Sequence, residues 1–180
     1  ALYVIYEACG AQAALDFFHD RPESALLLQI AGRDALAPSA CGMGRLFDAV
    51  AVIAGLAETV GFEGQNAMAL EAALDENADG TYAFSIGEDL TFDWRPVILA
   101  AHRDRLAGAD AGTVSARFHR AVVSLVTELC VRARQRTGCG AAGVSGGVFQ
   151  NVFLLENCAR ELRQKEFALL LNAKVPANDG

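Results

Sequence analysis

The stretch that most narrows what this chain can fold into lies near its C-terminal end. GAAGV (140–144) is a short run of small and apolar residues, and SGGVFQN (Ser145–Asn151) follows it. A helical pattern then runs from about Val152 to Lys165 and gives way to the unbroken apolar run FALLLNA (167–173). Strand, glycine turn, helix, strand is a βαβ unit, which calls for parallel strands and a right-handed crossover. The continuous apolar run predicts a last strand buried on both faces. The class is therefore α/β, and ligands of open α/β sheets sit beyond the carboxyl ends of the strands. Gly146 and Gly147 occupy that place. Lacking Cβ atoms, they allow positive φ and let a ligand lie against bare backbone. The N–H groups of the next helix would point outward toward an anionic or polar group. The same two glycines serve equally well as a plain turn, and the run is neither GxGxxG nor a P-loop.

The rest of the chain is mostly helical. Residues 1–40 form a helical lead-in, broken at Gly10, with Pro22 suited to the first turn of a second helix. Leu46, Val50, Ile53 and Leu56 share one helical face, flanked by Phe47, with Asp48 beside it near the helix start. A turn and another helix follow Gly61 and end near Gly80. Residues 81–95 read as a β-hairpin insertion around GED, and RPVILAAHRDRLAG as a short helix. Thr113–Gln135 is the longest helix, with Val114, Phe118, Val122, Leu125, Val126 and Leu129 on one stripe and Thr113 as its N-cap.

Composition excludes several functions. A net charge of −7 argues against a nucleic-acid surface. The one basic cluster, Arg132, Arg134 and Arg136, closes the long helix, where solvated cations complement the dipole. No apolar run reaches a membrane span, and no signal-peptide pattern is present. Cys9, Cys41, Cys130, Cys139 and Cys158 show no CxxC or zinc-finger spacing, which suits reduced thiols of a cytoplasmic protein. The chain opens within a helical pattern and stops just after a strand, so it is expected to be an excised piece of a larger protein.

GMGRLFDAVA (Gly42–Ala51), FEGQNAMALE (Phe62–Glu71), SGGVFQNVFLLE (Ser145–Glu156) and the closing VPANDG resemble, in that order, the HypF carbamoyltransferases of NiFe-hydrogenase maturation. SGGVFQN sets the chain apart from the related TsaD-type tRNA threonylcarbamoyl transferases, which usually carry Ala-Ala before the Asn. The resemblance implies the second lobe of an actin-like, ribonuclease-H-type ATPase fold, helix-rich, with a small sheet and a hairpin insertion. It implies carbamoyl phosphate and ATP as substrates, carbamoyl adenylate as intermediate, and transfer of the carbamoyl group to the C-terminal cysteine of a HypE-like acceptor.

By the same resemblance, Asp48 contacts the nucleotide's sugar, where a carboxylate can accept two hydroxyl hydrogen bonds; its bland alternative is an Asp complementing the helix dipole. Gly64 lets the adenosine approach, with Glu63 a neighbouring candidate, or else Gly64 merely starts a helix. Asn151 meets the adenine or ribose, or only caps the following helix. Gly146 and Gly147 complete the nucleotide set. Asp179 matches one ligand of an iron or zinc site whose two histidines are not matched by His19, His102 or His119. One carboxylate does not hold a transition metal, so no metal is expected on this piece alone. No catalytic residue is assigned, because the attacking thiolate comes from the partner. The isolated piece is expected to be inert, and an uncovered apolar face could drive it to self-associate. The other readings are a TsaD-like transferase and a non-catalytic actin-like scaffold.

Overall fold

The computed structural model describes residues 1–31, 33, 42–56, 59–172, 174 and 177. Helices α1 (Leu2–Cys9), α2 (Ala11–Phe17), α3 (Ser24–Ala31), α4 (Met43–Ile53) and α5 (Gln65–Ala72) come first. A small antiparallel hairpin, β1 (Ser85–Ile86) and β2 (Phe92–Asp93), leads to α6 (Arg95–Leu106) and the long α7 (Ala111–Thr137). The chain closes with β3 (Ala141–Val144), a 3-10 turn at Gly147–Gln150, α8 (Val152–Gln164) and β4 (Ala168–Leu171). β3 and β4 pair in parallel, Ala141 opposite Ala168 through Val144 opposite Leu171, so the βαβ unit forms.

Burial follows the apolar stripes. Leu46, Val50 and Ile53 of α4 meet Val114, Phe118 and Val122 of α7 in one core, joined by Ile5, Leu70, Val97, Ile98 and Leu154. Phe47, expected at the flank, lies at the centre of this core, its ring edge-on to Phe118 with centroids 4.8 Å apart. A smaller core of Ala142, Val144, Leu162 and Phe167 sits beneath the parallel pair.

Several expectations need correction. Helix α5 ends at Ala72 rather than near Gly80, because residues 75–80 have a stronger claim on their backbone. Arg120 of α7 donates to the carbonyls of Glu76 (2.8 Å), Gly80 (3.2 Å) and Ala78, and the Asp75 carboxylate accepts from the Asn77 N–H at 2.9 Å. The N-cap of α7 is Asp110, whose carboxylate accepts from the Thr113 N–H at 2.7 Å; Thr113 is itself within the helix. Pro22 lies in the turn before α3, not in its first helical turn. Strand β4 is not buried on both faces. Leu170 is 65% exposed and Leu171 40%, because β3 is its one partner among the described residues and α8 covers a single side. Of the three arginines closing α7, Arg136 is exposed as expected, but two are not merely solvated: Arg134 stacks on the Phe167 ring at 4.1 Å and donates to the Lys165 carbonyl at 2.7 Å, while Arg132 donates to the Ile86 carbonyl at 3.3 Å. They fix the approach to β4 and the hairpin.

Candidate functional site

Asp48 belongs to the first turns of α4. Its neighbour Phe47 points inward, and a step of about 100° round the helix brings the carboxylate to the rim of the core. There its side chain is 25% exposed and pairs with Arg45 at 3.2 Å. It opens into a hollow of about 320 Å³ walled by Leu2, Phe18, Leu27, Val52 and Val60, with Arg21, Glu23, Ser24 and Asn66 supplying the polar groups. Apolar walls with a few convergent polar groups are the usual make-up of a small-molecule site.

The turn carrying Glu63 and Gly64 runs between two residues of that wall, Val60 and Asn66. Gly64 is the N-cap of α5 with φ 80°, a left-handed conformation that explains the glycine without a ligand. A side chain there would meet nothing within 4 Å, so the space in front of the backbone is open as well. Glu63 is exposed.

The C-terminal glycine turn is a separate place. Gly146 adopts φ 97°, ψ 159°, which favours glycine. Its N–H is taken by the Ala177 carbonyl at 2.6 Å, and the Ser145 hydroxyl donates to the same oxygen at 3.2 Å. Gly147 opens the 3-10 turn that precedes α8. The N–H groups of α8 do not point outward to an anion from solution, as its place behind the glycines suggested. Glu71 of α5 supplies the anion: its Oε1 accepts from the Val152 N–H at 2.7 Å and the Phe153 N–H at 3.4 Å. Asn151 completes the cap, its Oδ1 accepting from the Leu154 N–H at 2.9 Å.

The other end of the Asn151 amide is also engaged. Its Nδ2 donates to His119 Nε2 at 2.9 Å, while His119 Nδ1 donates to the Ser115 carbonyl at 2.8 Å. Two partners of opposite kind fix the neutral Nδ1–H tautomer. Complete burial pushes the imidazole down to about 4, against the smaller opposing pull of the Ser115 carbonyl. The Ser115 hydroxyl donates in turn to the Leu70 carbonyl, so one polar chain ties α5, α7 and α8 together.

The structure thus brings Asp48 together with Val60 and Asn66, which flank the turn of Glu63 and Gly64; Glu63 and Gly64 themselves, like Gly146, Gly147 and Asn151, are not among the hollow's lining residues. Phe47, edge-on to His119 at 5.4 Å, and His119 itself stand between Asp48 and Asn151. Asn66, Arg21, Glu23 and Ser24 escaped the sequence analysis. The one available signal was the polar pair Gln65 and Asn66 opening an otherwise mostly apolar α5. Asp179 and Cys41 lie outside the described residues.

Among the described residues no three His, Cys, Asp or Glu side chains are grouped to hold a metal ion. Burial raises the thiols of Cys9 and Cys130 and pushes Cys158 up to about 12, so none of these three is a ready nucleophile. No helix of the described residues is long and apolar enough to cross a membrane.

The family described as "Carbamoyltransferase, Kae1-like Domain, second subdomain" matches residues 1–180. The carbamoyltransferase HypF of Synechocystis sp. is 35% identical over 149 residues, 80% of this chain and 18% of its own length. That of Rhizobium leguminosarum bv. viciae is 37% identical over 144 residues, 79% of this chain and again 18% of its own length. The chain therefore spans under a fifth of these relatives. Among solved structures, full-length HypF in its phosphate- and nucleotide-bound form superposes with a TM-score of 0.86 at 30% identity, over 99% of this chain and 24% of that one. The HypF of T. kodakarensis superposes with a TM-score of 0.74 at 18% identity, over 99% of this chain and 24% of that one, and supports the fold alone.

Proposed function

Because this chain belongs to the carbamoyltransferase HypF family, as the second subdomain of its Kae1-like domain, we propose that it forms one wall of a nucleotide cleft in an enzyme that carries a carbamoyl group on AMP. The observation that carries this reading is the Asp48 hollow, a partly shielded carboxylate at the mouth of an apolar pocket large enough for a nucleoside. A solved relative that covers nearly all of this fold is described as nucleotide-bound.

In this reading the lobe is half of an actin-like ATPase fold. Asp48 accepts hydrogen bonds from the ribose, and the open backbone at Gly64, beside Glu63, leaves room for the adenosine. Gly146, Gly147 and Asn151 act one layer behind: Asn151 and Glu71 set the α8 N-terminus and, through His119 and Phe47, the seat of α4. Carbamoyl phosphate and ATP supply carbamoyl adenylate. The C-terminal thiolate of a HypE-like acceptor then attacks the carbamoyl carbon. An S–C bond forms, the C–O bond to the phosphate breaks, and AMP leaves with the electron pair. The described side chains do not form a metal shell. Asp179 is the one ligand this chain is proposed to give to an iron or zinc site of the complete enzyme, and what this lobe contributes is nucleotide positioning.

Calorimetric titration of ATP into the complete gene product and its Asp48→Ala variant tests this. Loss of a charge-assisted contact is expected to weaken binding by about 10- to 100-fold. The melting temperature should fall little, since the Arg45 end of the pair is 62% exposed and an ion pair open to water on one side contributes at most about 1 kcal/mol. Unchanged ATP affinity in the variant would remove Asp48 from the site. The 180-residue chain alone is expected to show no carbamoyl-phosphate-dependent ATP turnover, because half of a cleft neither excludes water nor assembles the reacting groups.

A further inference from the structure

Three buried side-chain atoms have no hydrogen-bond partner among the described residues: Asn66 Oδ1, His102 Nδ1 and Thr127 Oγ1. A buried polar atom left in this state destabilises the fold unless something comes to meet it. His102 packs beside the Phe17 ring, and Thr127 faces a second hollow, of about 520 Å³, between α7 and α8. The arginines of that second hollow are already spent, Arg120 on carbonyls of residues 76–80 and Arg160 on Asn157 and Glu161. Asn66 differs from both. It is only 4% exposed, it stands in the first turn of α5, and it lines the same hollow as Asp48.

The groups around that hollow say what would meet it. Asp48 and Glu23 are carboxylates, Ser24 is a hydroxyl, and the Asn66 oxygen has nothing to accept from. Arg21 stands in the same lining and Arg45 pairs with Asp48, so charge alone does not choose the ligand; the orphaned oxygen does, because a phosphate brings it no donor, whereas a vicinal diol brings neutral donors to two acceptors at once. Leu27, Val52 and Val60 leave apolar surface for a flat ring beside it. The N-terminus of α8, the other place suited to an anion, is filled by Glu71.

We infer that Asn66 is a sugar-recognition residue, its Oδ1 accepting a hydrogen bond from a ribose hydroxyl of the nucleoside held at Asp48. The inference rests on the nucleotide reading above and adds to it a specificity contact at a residue within FEGQNAMALE to which the resemblance assigns no role. The orphaned oxygen costs the empty lobe stability, and the ligand relieves that cost.

The test titrates adenosine, 2′-deoxyadenosine and 3′-deoxyadenosine into the complete gene product and into its Asn66→Leu and Asn66→Ala variants. Leucine keeps the branched outline and removes the orphan, while alanine leaves space should the bulkier leucine fail to fold. The wild type is expected to bind one deoxynucleoside roughly 10-fold or more weakly than adenosine. Asn66→Leu should bind adenosine weakly by a similar factor, lose nothing further with that deoxynucleoside, and melt no lower than the wild type without ligand. Equal wild-type affinity for all three nucleosides, or variants that hold adenosine within twofold, would overturn the role of Asn66 and leave the nucleotide reading standing. A wild type that binds neither adenosine nor ATP at millimolar concentration would overturn the nucleotide reading itself, and this inference with it.

Discussion

His119 shows how one buried residue makes stability depend on acidity. Its Nε2 lone pair is met by the Asn151 amide and its Nδ1–H by the Ser115 carbonyl, so a second ring proton would face another donor. In the unfolded chain the imidazole takes up a proton near its ordinary 6.5; in the fold burial holds it at about 4. Between those values the unfolded state binds more protons, so stability is whole above pH 6.5 and falls on acidification toward pH 4. The slope should approach about 1.4 kcal/mol per pH unit. His102, also lowered by burial, contributes in the same direction. Urea midpoints from pH 7 to 4.5 check this, and His119→Gln is expected to flatten the dependence. Asn151→Ala removes both a helix cap and the partner of His119, and should lower stability by about 2 kcal/mol in the same assay at pH 7. The Asn151 cap was legible in the sequence as one of two readings, but its tie to His119 was not, because His119 is one polar letter in an apolar helix and its partner lies 32 residues away.

Helix α8 begins on a charge from another helix. Glu71 accepts from its first two N–H groups, an arrangement that spans more than 80 residues of chain. Glu71→Gln should therefore cost about 1 kcal/mol and speed hydrogen exchange at Val152 and Phe153 more than elsewhere in α8. Periodicity made α4, α7 and α8 legible, because their apolar faces repeat at helical spacing and are buried where that spacing puts them. The parallel pairing of β3 and β4 was legible too, from the strand, turn, helix, strand order. The end of α5 was not, since it is decided by Arg120 reaching across from α7. The exposure of β4 was missed for a related reason: an apolar run reports what a strand is suited to, while its cover depends on which strands lie beside it.

At the scale of the whole molecule, the Asp48 hollow is assembled from segments far apart in sequence, the 18–27 turn and helix, α4, and the turn from Val60 to Asn66. Its individual residues carry no spacing rule, so Asp48 and Gly64 entered through family resemblance, and Asn66 became visible only with its neighbours in place. Exposed apolar side chains include Leu27 and Val60 in the wall of the hollow, Leu106 at the end of α6, and Leu170 and Leu171 on β4. The isolated 180-residue chain is expected to elute earlier on size exclusion as its concentration rises, and Leu170→Lys with Leu171→Lys should reduce that shift. The Arg120 contacts have a further consequence for the segment 75–80, which has no helix or strand of its own yet offers its carbonyls to a guanidinium anchored in the longest helix. A protease searching for slack chain should pass over this stretch and cut it only once α7 has melted, so the first nicks in the folded lobe will fall elsewhere.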